Sequence, residues 1–68
     1  MDWDDYKFFS TIASTRSVRS AAEVLGVNPS TVSRRLENFE DRLGVPLFIR
    51  SQRGLTITPE GAEVIAQV

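Results

Sequence analysis

Apolar residues return every three or four positions at the start of the chain: Trp3, Tyr6, Phe9 and Ile12, with Ala13 beside them. That spacing predicts a helix from Asp2 to about Ser14 with one buried stripe, and it leaves Phe8 off the stripe's centre. Asp2 is the expected cap, and Asp4 and Asp5 suit the positive end of the helix dipole. Ser14-Thr15-Arg16-Ser17 interrupts the period. Ser17 then caps a second helix, Val18 to Leu25, which buries Val18, Ala21, Ala22 and Leu25 and stops at Gly26. Val27 is expected to plug the turn. Asn28 caps a third helix with Pro29 in its first turn, where a missing N–H costs nothing. Val32, Leu36, Phe39 and Leu43 follow at spacings of four, three and four, and Gly44 with Pro46 ends the run.

Beyond Pro46 the period changes. Leu47-Phe48-Ile49 and Leu55-Thr56-Ile57 are short β-prone runs around Ser51-Gln52-Arg53-Gly54, which predicts a hairpin. Thr58-Pro59-Glu60 has the order of a cap, a first-turn proline and an acid, and opens a fourth helix. Ala62, Ile65 and Val68 form its apolar side. It is expected to continue in a longer chain. Together these elements predict a mainly α fold, a winged helix-turn-helix: a three-helix core, a two-stranded β wing and the start of a fourth, linker helix. Residues 1–57 form the domain and residues 58–68 begin the linker.

Sixty-eight residues, 41% hydrophobic and 25% charged, fit one small globular domain. The chain has no cysteine and no histidine, so thiolate metal sites, disulfides and the commonest general base are excluded. The remaining carboxylates and hydroxyls show no nucleophile paired with a base, which argues against an enzyme, and no cofactor or metal is expected. No apolar run approaches the roughly 20 residues of a membrane span. The acidic start lacks the basic region of a signal peptide, so the expected location is the cytoplasm.

The net charge of −1 conceals a pattern. Residues 14–36 carry Arg16, Arg19, Arg34 and Arg35 against Glu23 alone, and residues 44–58 carry Arg50 and Arg53 against no acid. The segments around them are net acidic. A patch, not a total, attracts an anion. On the third helix, Ser30, Arg34, Glu37, Asn38 and Asp41 oppose the buried stripe, with Ser33 and Arg35 flanking them. Only its first two turns are free of acid.

A small residue at Ala22, a turn glycine four positions later and an apolar frame of Leu25, Val27, Val32 and Leu36 suit two helices meeting over a short turn. Pro29, Ser30, Ser33 and Arg34 then face outward, where a helix entering the major groove meets base edges. Arg34 is the best donor to guanine, and Ser30 and Ser33 serve a base or a phosphate. Arg35 and Arg50 suit phosphate, and Arg53 at the hairpin tip suits a minor groove. Structural alternatives stand beside these roles. Arg34 can pair with Asn38 or Asp41, and Arg35 with Glu40 or an acid of the first helix. Ser33 can bond back to the carbonyl four residues earlier, and Arg53 can simply be solvated.

The run Ser17-Val18-Arg19-Ser20-Ala21-Ala22-Glu23-Val24-Leu25-Gly26-Val27-Asn28-Pro29-Ser30-Thr31-Val32-Ser33-Arg34-Arg35-Leu36 resembles the N-terminal domain of LysR-type transcriptional regulators. So do Leu43 to Arg50 and Leu55-Thr56-Ile57-Thr58-Pro59-Glu60-Gly61, as wing and linker start. The resemblance implies a bacterial regulator that binds double-stranded DNA. It also implies a homodimer or tetramer formed through the linker helix, and a small-molecule effector held by a separate C-terminal domain. By position, it implies base readout by Pro29, Ser30, Ser33 and Arg34. It places the phosphate and wing contacts on Ser17, Arg19, Thr31, Arg35, Arg50 and Arg53. Three departures bear on base preference. Pro29-Ser30 stands where the family often has Gln then Pro, Glu37 where Arg or Lys is common, and Arg19-Ser20 where Thr-Arg is frequent. The competing expectation, favoured by the pI of 5.2, is a winged helix that binds another protein.

Overall fold

A computed structural model describes residues 3–66, so the expected cap Asp2 and the apolar Val68 lie outside the described residues. The elements run α1 (Trp3–Thr15), α2 (Val18–Leu25), α3 (Pro29–Leu43), β1 (Phe48–Ser51), β2 (Gly54–Ile57) and α4 (Pro59–Ala66). This is the winged helix-turn-helix that the pattern predicts.

The core gathers residues from every element before α4: Phe8, Phe9, Ile12, Ala21, Ala22, Val32, Leu36, Leu47, Phe48 and Leu55. Ala21 and Ala22 are both fully buried where α2 packs against α1 and α3. The α2–α3 turn has the expected chemistry. Gly26 is left-handed with φ 73°, and the N–H of Val27 reaches back to the carbonyl of Ala22 at 3.0 Å. Ser17 caps α2 by accepting the N–H of Ser20 at 3.1 Å. At α3 the expected cap is only half realised. The carbonyl of Asn28 accepts from Thr31 and Val32, but its side chain makes no capping bond. With Pro at the first helical position, one of the orphan donors is already absent.

Four stripe positions differ from the periodic expectation. Phe8 is a core residue and Trp3 is 70% exposed, stacked on Tyr6 with ring centroids 5.6 Å apart. The buried side of α1 is therefore turned toward Phe8, whose ring the Arg35 side chain of α3 covers. At the far ends, Leu43 is 44% and Val27 43% exposed, so Val27 does not plug its turn. Periodicity reports the side on which a residue lies, not whether anything covers it. Phe39, the stripe's third member, sits edge-on to Phe9 at 4.4 Å.

The hairpin is tighter than the sequence suggests. Ser51 pairs with Gly54, which leaves a two-residue turn, Gln52-Arg53. The Ser51 hydroxyl braces it, donating to the Gly54 carbonyl at 3.0 Å and accepting the N–H of Arg53 at 3.3 Å. Leu47 precedes the first strand and is buried.

Three ties bind this wing to the helices. The carboxylate of Glu40 accepts the backbone N–H groups of both Leu47 and Phe48, which fixes where the chain enters β1. The carbonyl of Arg16 accepts the N–H of Leu55 at 2.8 Å, and its Nε donates to the Leu55 carbonyl at 3.4 Å. Arg16 thus pairs with the edge of β2 that β1 does not use. It has φ 57°, the one non-glycine residue with positive φ among those described. An ideal Cβ on Gly54 would lie 2.4 Å from that same Arg16 carbonyl, so only glycine admits the approach. At the exit, buried Thr58 donates to the Pro46 carbonyl at 2.7 Å and caps α4 by accepting the N–H of Gly61 at 3.0 Å.

The buried side of α4 is Gly61, with Val64 and Ile65 packed against the core, while Ala62 is exposed. A Cβ at Gly61 would meet the Leu47 carbonyl at 2.4 Å. That close approach sets the rotation of α4, and no hydrophobicity pattern marks a glycine as a contact position. Among the described residues no helix is long and apolar enough to cross a membrane.

Replacing Glu40 with alanine leaves two partly buried N–H groups without their charged acceptor. The expected loss is about 2 kcal/mol of stability, read as a lower urea midpoint at unchanged slope. An unchanged midpoint would remove Glu40 from the ties that hold the wing.

Candidate nucleic-acid interface

Ser30 and Arg34 lie on the first two turns of α3 opposite buried Val32 and Leu36, with Ser33 beside them on the flank. Pro29, Ser30 and Arg34 are exposed, and Ser33 and Thr31 are half-buried. The Arg34 side chain forms no hydrogen bond or ion pair with any other described residue, so neither Asn38 nor Asp41 holds it. Its guanidinium keeps all five donors, arranged in the planar fork that matches a base edge or a phosphate.

Arg35 behaves differently. It lies one position on, so it turns about 100° around the helix toward α1. Its guanidinium sits over the Phe8 ring at 4.5 Å and its Nη2 lies 3.7 Å from Asp5 Oδ1. Of the alternatives that the sequence left open, the structure forms the pair with an acid of the first helix. Arg42 is likewise laid over Phe39 at 4.7 Å. The two cations cover aromatic core residues on the α1 side of α3, away from Ser30 and Arg34.

The wing supplies the second cationic group. Arg53 is exposed within the two-residue turn, and no described residue bonds its side chain. Arg50 reaches across to α3 and its Nη2 donates to the Ser33 hydroxyl at 3.3 Å. The wing base and the exposed part of α3 are therefore in contact. Sequence reasoning placed both residues in the candidate set but gave no hint that they touch. It also missed Arg16, Glu40 and Gly61, which position the set. The signals present were the break at Ser14 to Ser17 and an acid seven residues before Leu47, neither specific enough to assign a partner.

At the α2 end, the Ser17 hydroxyl is engaged by the Ser20 N–H and retains its own proton for an outside acceptor. Arg19 is exposed on α2. Two acids near the positive groups are internally committed, Asp5 to Arg35 and Glu40 to backbone N–H groups. Glu37 and Asp41 remain exposed further along α3. The arrangement offers cationic and hydroxyl donors to a polyanion from the first turns of a helix and from a wing tip.

A family model described as bacterial regulatory helix-turn-helix protein, lysR family, matches residues 3–62. The HTH-type transcriptional activator IlvY of Salmonella typhimurium is 41% identical over 64 residues, covering 94% of this chain and 22% of that protein. The HTH-type transcriptional regulator CzcR of Bacillus cereus is 38% identical over 68 residues, 100% of this chain and 24% of its own length. The chain thus spans about a quarter or less of these curated relatives. Among solved structures, a complex of the CbnR DNA-binding domain with DNA superposes with a TM-score of 0.88 at 30% identity, covering 98% of this chain and 77% of that one. A BenM DNA-binding domain on catB site 1 DNA gives 0.87 at 28% identity, covering 98% and 75%.

Substituting Arg35 with alanine removes a half-exposed cation from Phe8 and Asp5. The expected cost is about 0.5–1 kcal/mol, seen as a thermal midpoint several degrees lower in a domain of this size. An unaltered midpoint would show that the contact contributes nothing to packing α3 on α1.

Proposed function

The chain belongs to the lysR family of bacterial regulatory helix-turn-helix proteins, and on that footing we propose that it is the part of a transcription regulator that binds duplex DNA sequence-specifically. The family is one of regulators, not of enzymes. The observation that carries the proposal is the guanidinium fork of Arg34 beside Ser30 and Ser33, on the acid-free first turns of α3, with Arg53 at the wing tip, neither side chain bonded to another described residue. In this reading α3 enters the major groove, and Pro29, Ser30, Ser33 and Arg34 meet base edges. Arg53 reaches the adjacent minor groove, while Ser17, Arg19, Thr31 and Arg50 face phosphate. Arg35 contributes least, because its charge is already shared with Asp5. The DNA complexes of the CbnR and BenM domains support the assignment through their likeness in fold.

The whole regulator, in this proposal, works in the cytoplasm as a homodimer or tetramer joined through the helix that α4 begins. Two copies then address half-sites about one helical turn, roughly 34 Å, apart. A small-molecule effector would act through a separate domain.

Titrating Arg34→Ala against a selected duplex should cost about 1–3 kcal/mol and relax one base position. Unchanged affinity would remove Arg34 from base readout. Arg53→Ala should weaken binding more evenly across sequences and reduce the salt slope by about one, and equal slopes for variant and parent would take the wing tip out of the contact set. Absence of salt-sensitive duplex binding would favour a protein-binding winged helix instead.

A further inference from the structure

We propose that Arg50 is a specificity-determining positioning residue, which fixes the Ser33 hydroxyl as a donor toward the base it faces. The inference rests on the reading of Ser33 as a base contact.

The hairpin register makes the contact possible. Phe48 pairs with Ile57 and Arg50 with Leu55, so Phe48, Arg50 and Leu55 share one face of the ribbon. Phe48 and Leu55 are buried, which turns that face toward the helices. Arg50 stands on the same face one step closer to the tip, where the core has ended, and its exposed side chain crosses to α3. Three features keep it there. Arg16 holds both the N–H and the carbonyl of Leu55, β1 is anchored at its start by Glu40, and Gly54 admits the Arg16 carbonyl.

A serine hydroxyl has one proton and two lone pairs. Oriented back toward the carbonyl of Pro29, it would give up its proton and offer the groove only lone pairs. That bond is not formed among the described residues, and the hydrogen bond of the Ser33 side chain is the one it accepts from Arg50 Nη2 at 3.3 Å. A cation on one side of the oxygen turns the hydroxyl dipole, so the hydrogen points away from Arg50. Ser33 then presents a proton, which suits an acceptor edge such as guanine N7 and O6 or thymine O4. The N4 amino donor of cytosine is disfavoured. Recognition by α3 would thus depend on a residue of the wing that need not touch that base.

The test uses the 68-residue chain and a pool of duplexes with randomised positions. Variants Ser33→Ala, Arg50→Ala and the double variant are then titrated on every single-base change of the selected site. Circular dichroism melts confirm that each is folded. The expected result is that both single variants relax the same position about fivefold. The double variant relaxes it no further. If Arg50→Ala weakens all sequences equally and leaves that preference intact, Arg50 acts on phosphate alone and the proposal fails. Single variants that relax different positions would uncouple Arg50 from Ser33 and overturn the proposal. A Ser33→Ala variant with every preference unchanged would instead remove Ser33 from base readout, and the inference with it. Absence of salt-sensitive duplex binding by the parent would overturn the DNA reading itself.

Discussion

Ala21 and Ala22 are fully buried in an eight-residue helix that packs against both α1 and α3, and a side chain of one carbon there brings the helix backbones close. A larger residue would push the helices apart and alter the direction in which α3 leaves the turn. The left-handed Gly26 then fixes the exit, and the bond from Val27 to Ala22 closes it. Everything that faces outward on α3 inherits its direction from this junction. Phe9 against Phe39, and Arg35 over Phe8, brace the helix from the α1 side.

The wing is the second body to be placed, and a two-stranded ribbon does not hold itself in position. Here it is fastened at its start by Glu40, along its outer edge by Arg16 and at its exit by Thr58. Arg16 answers the edge-strand problem too, since it occupies the N–H and carbonyl of Leu55 that β1 leaves open. These fastenings bear on electrostatics. The chain is net acidic, yet Asp5 and Glu40 have internal partners, while Arg34 and Arg53 have none among the described residues. The surface offered to a polyanion is more positive than the total implies.

Much of the fold was legible because it depends on local periodicity. The four helices, the hairpin, the Ser17 cap, Pro29 and the left-handed Gly26 all follow from residue types within a few positions of one another. The outward set on α3 was legible for the same reason, since the buried Val32 and Leu36 dictate where Ser30 and Arg34 point. Illegible were the positions where burial depends on a remote neighbour. Phe8 is covered by Arg35 of another helix, Trp3 by little, and Gly61 is buried because a carbonyl fourteen residues earlier lies where its side chain would be.

Taken alone, the sequence determined the order and type of the elements and which residues face outward on α3, because these rest on short-range spacing and side-chain chemistry. Only the tertiary structure decided which polar groups are already engaged. Arg35 goes to Asp5, Glu40 to the wing's first N–H groups, Arg16 to Leu55 across 39 positions and Arg50 to Ser33 across 17. Such partners are chosen by packing. Several acceptors are equally plausible along the chain, and the one that bonds is the one that the assembled core brings within reach.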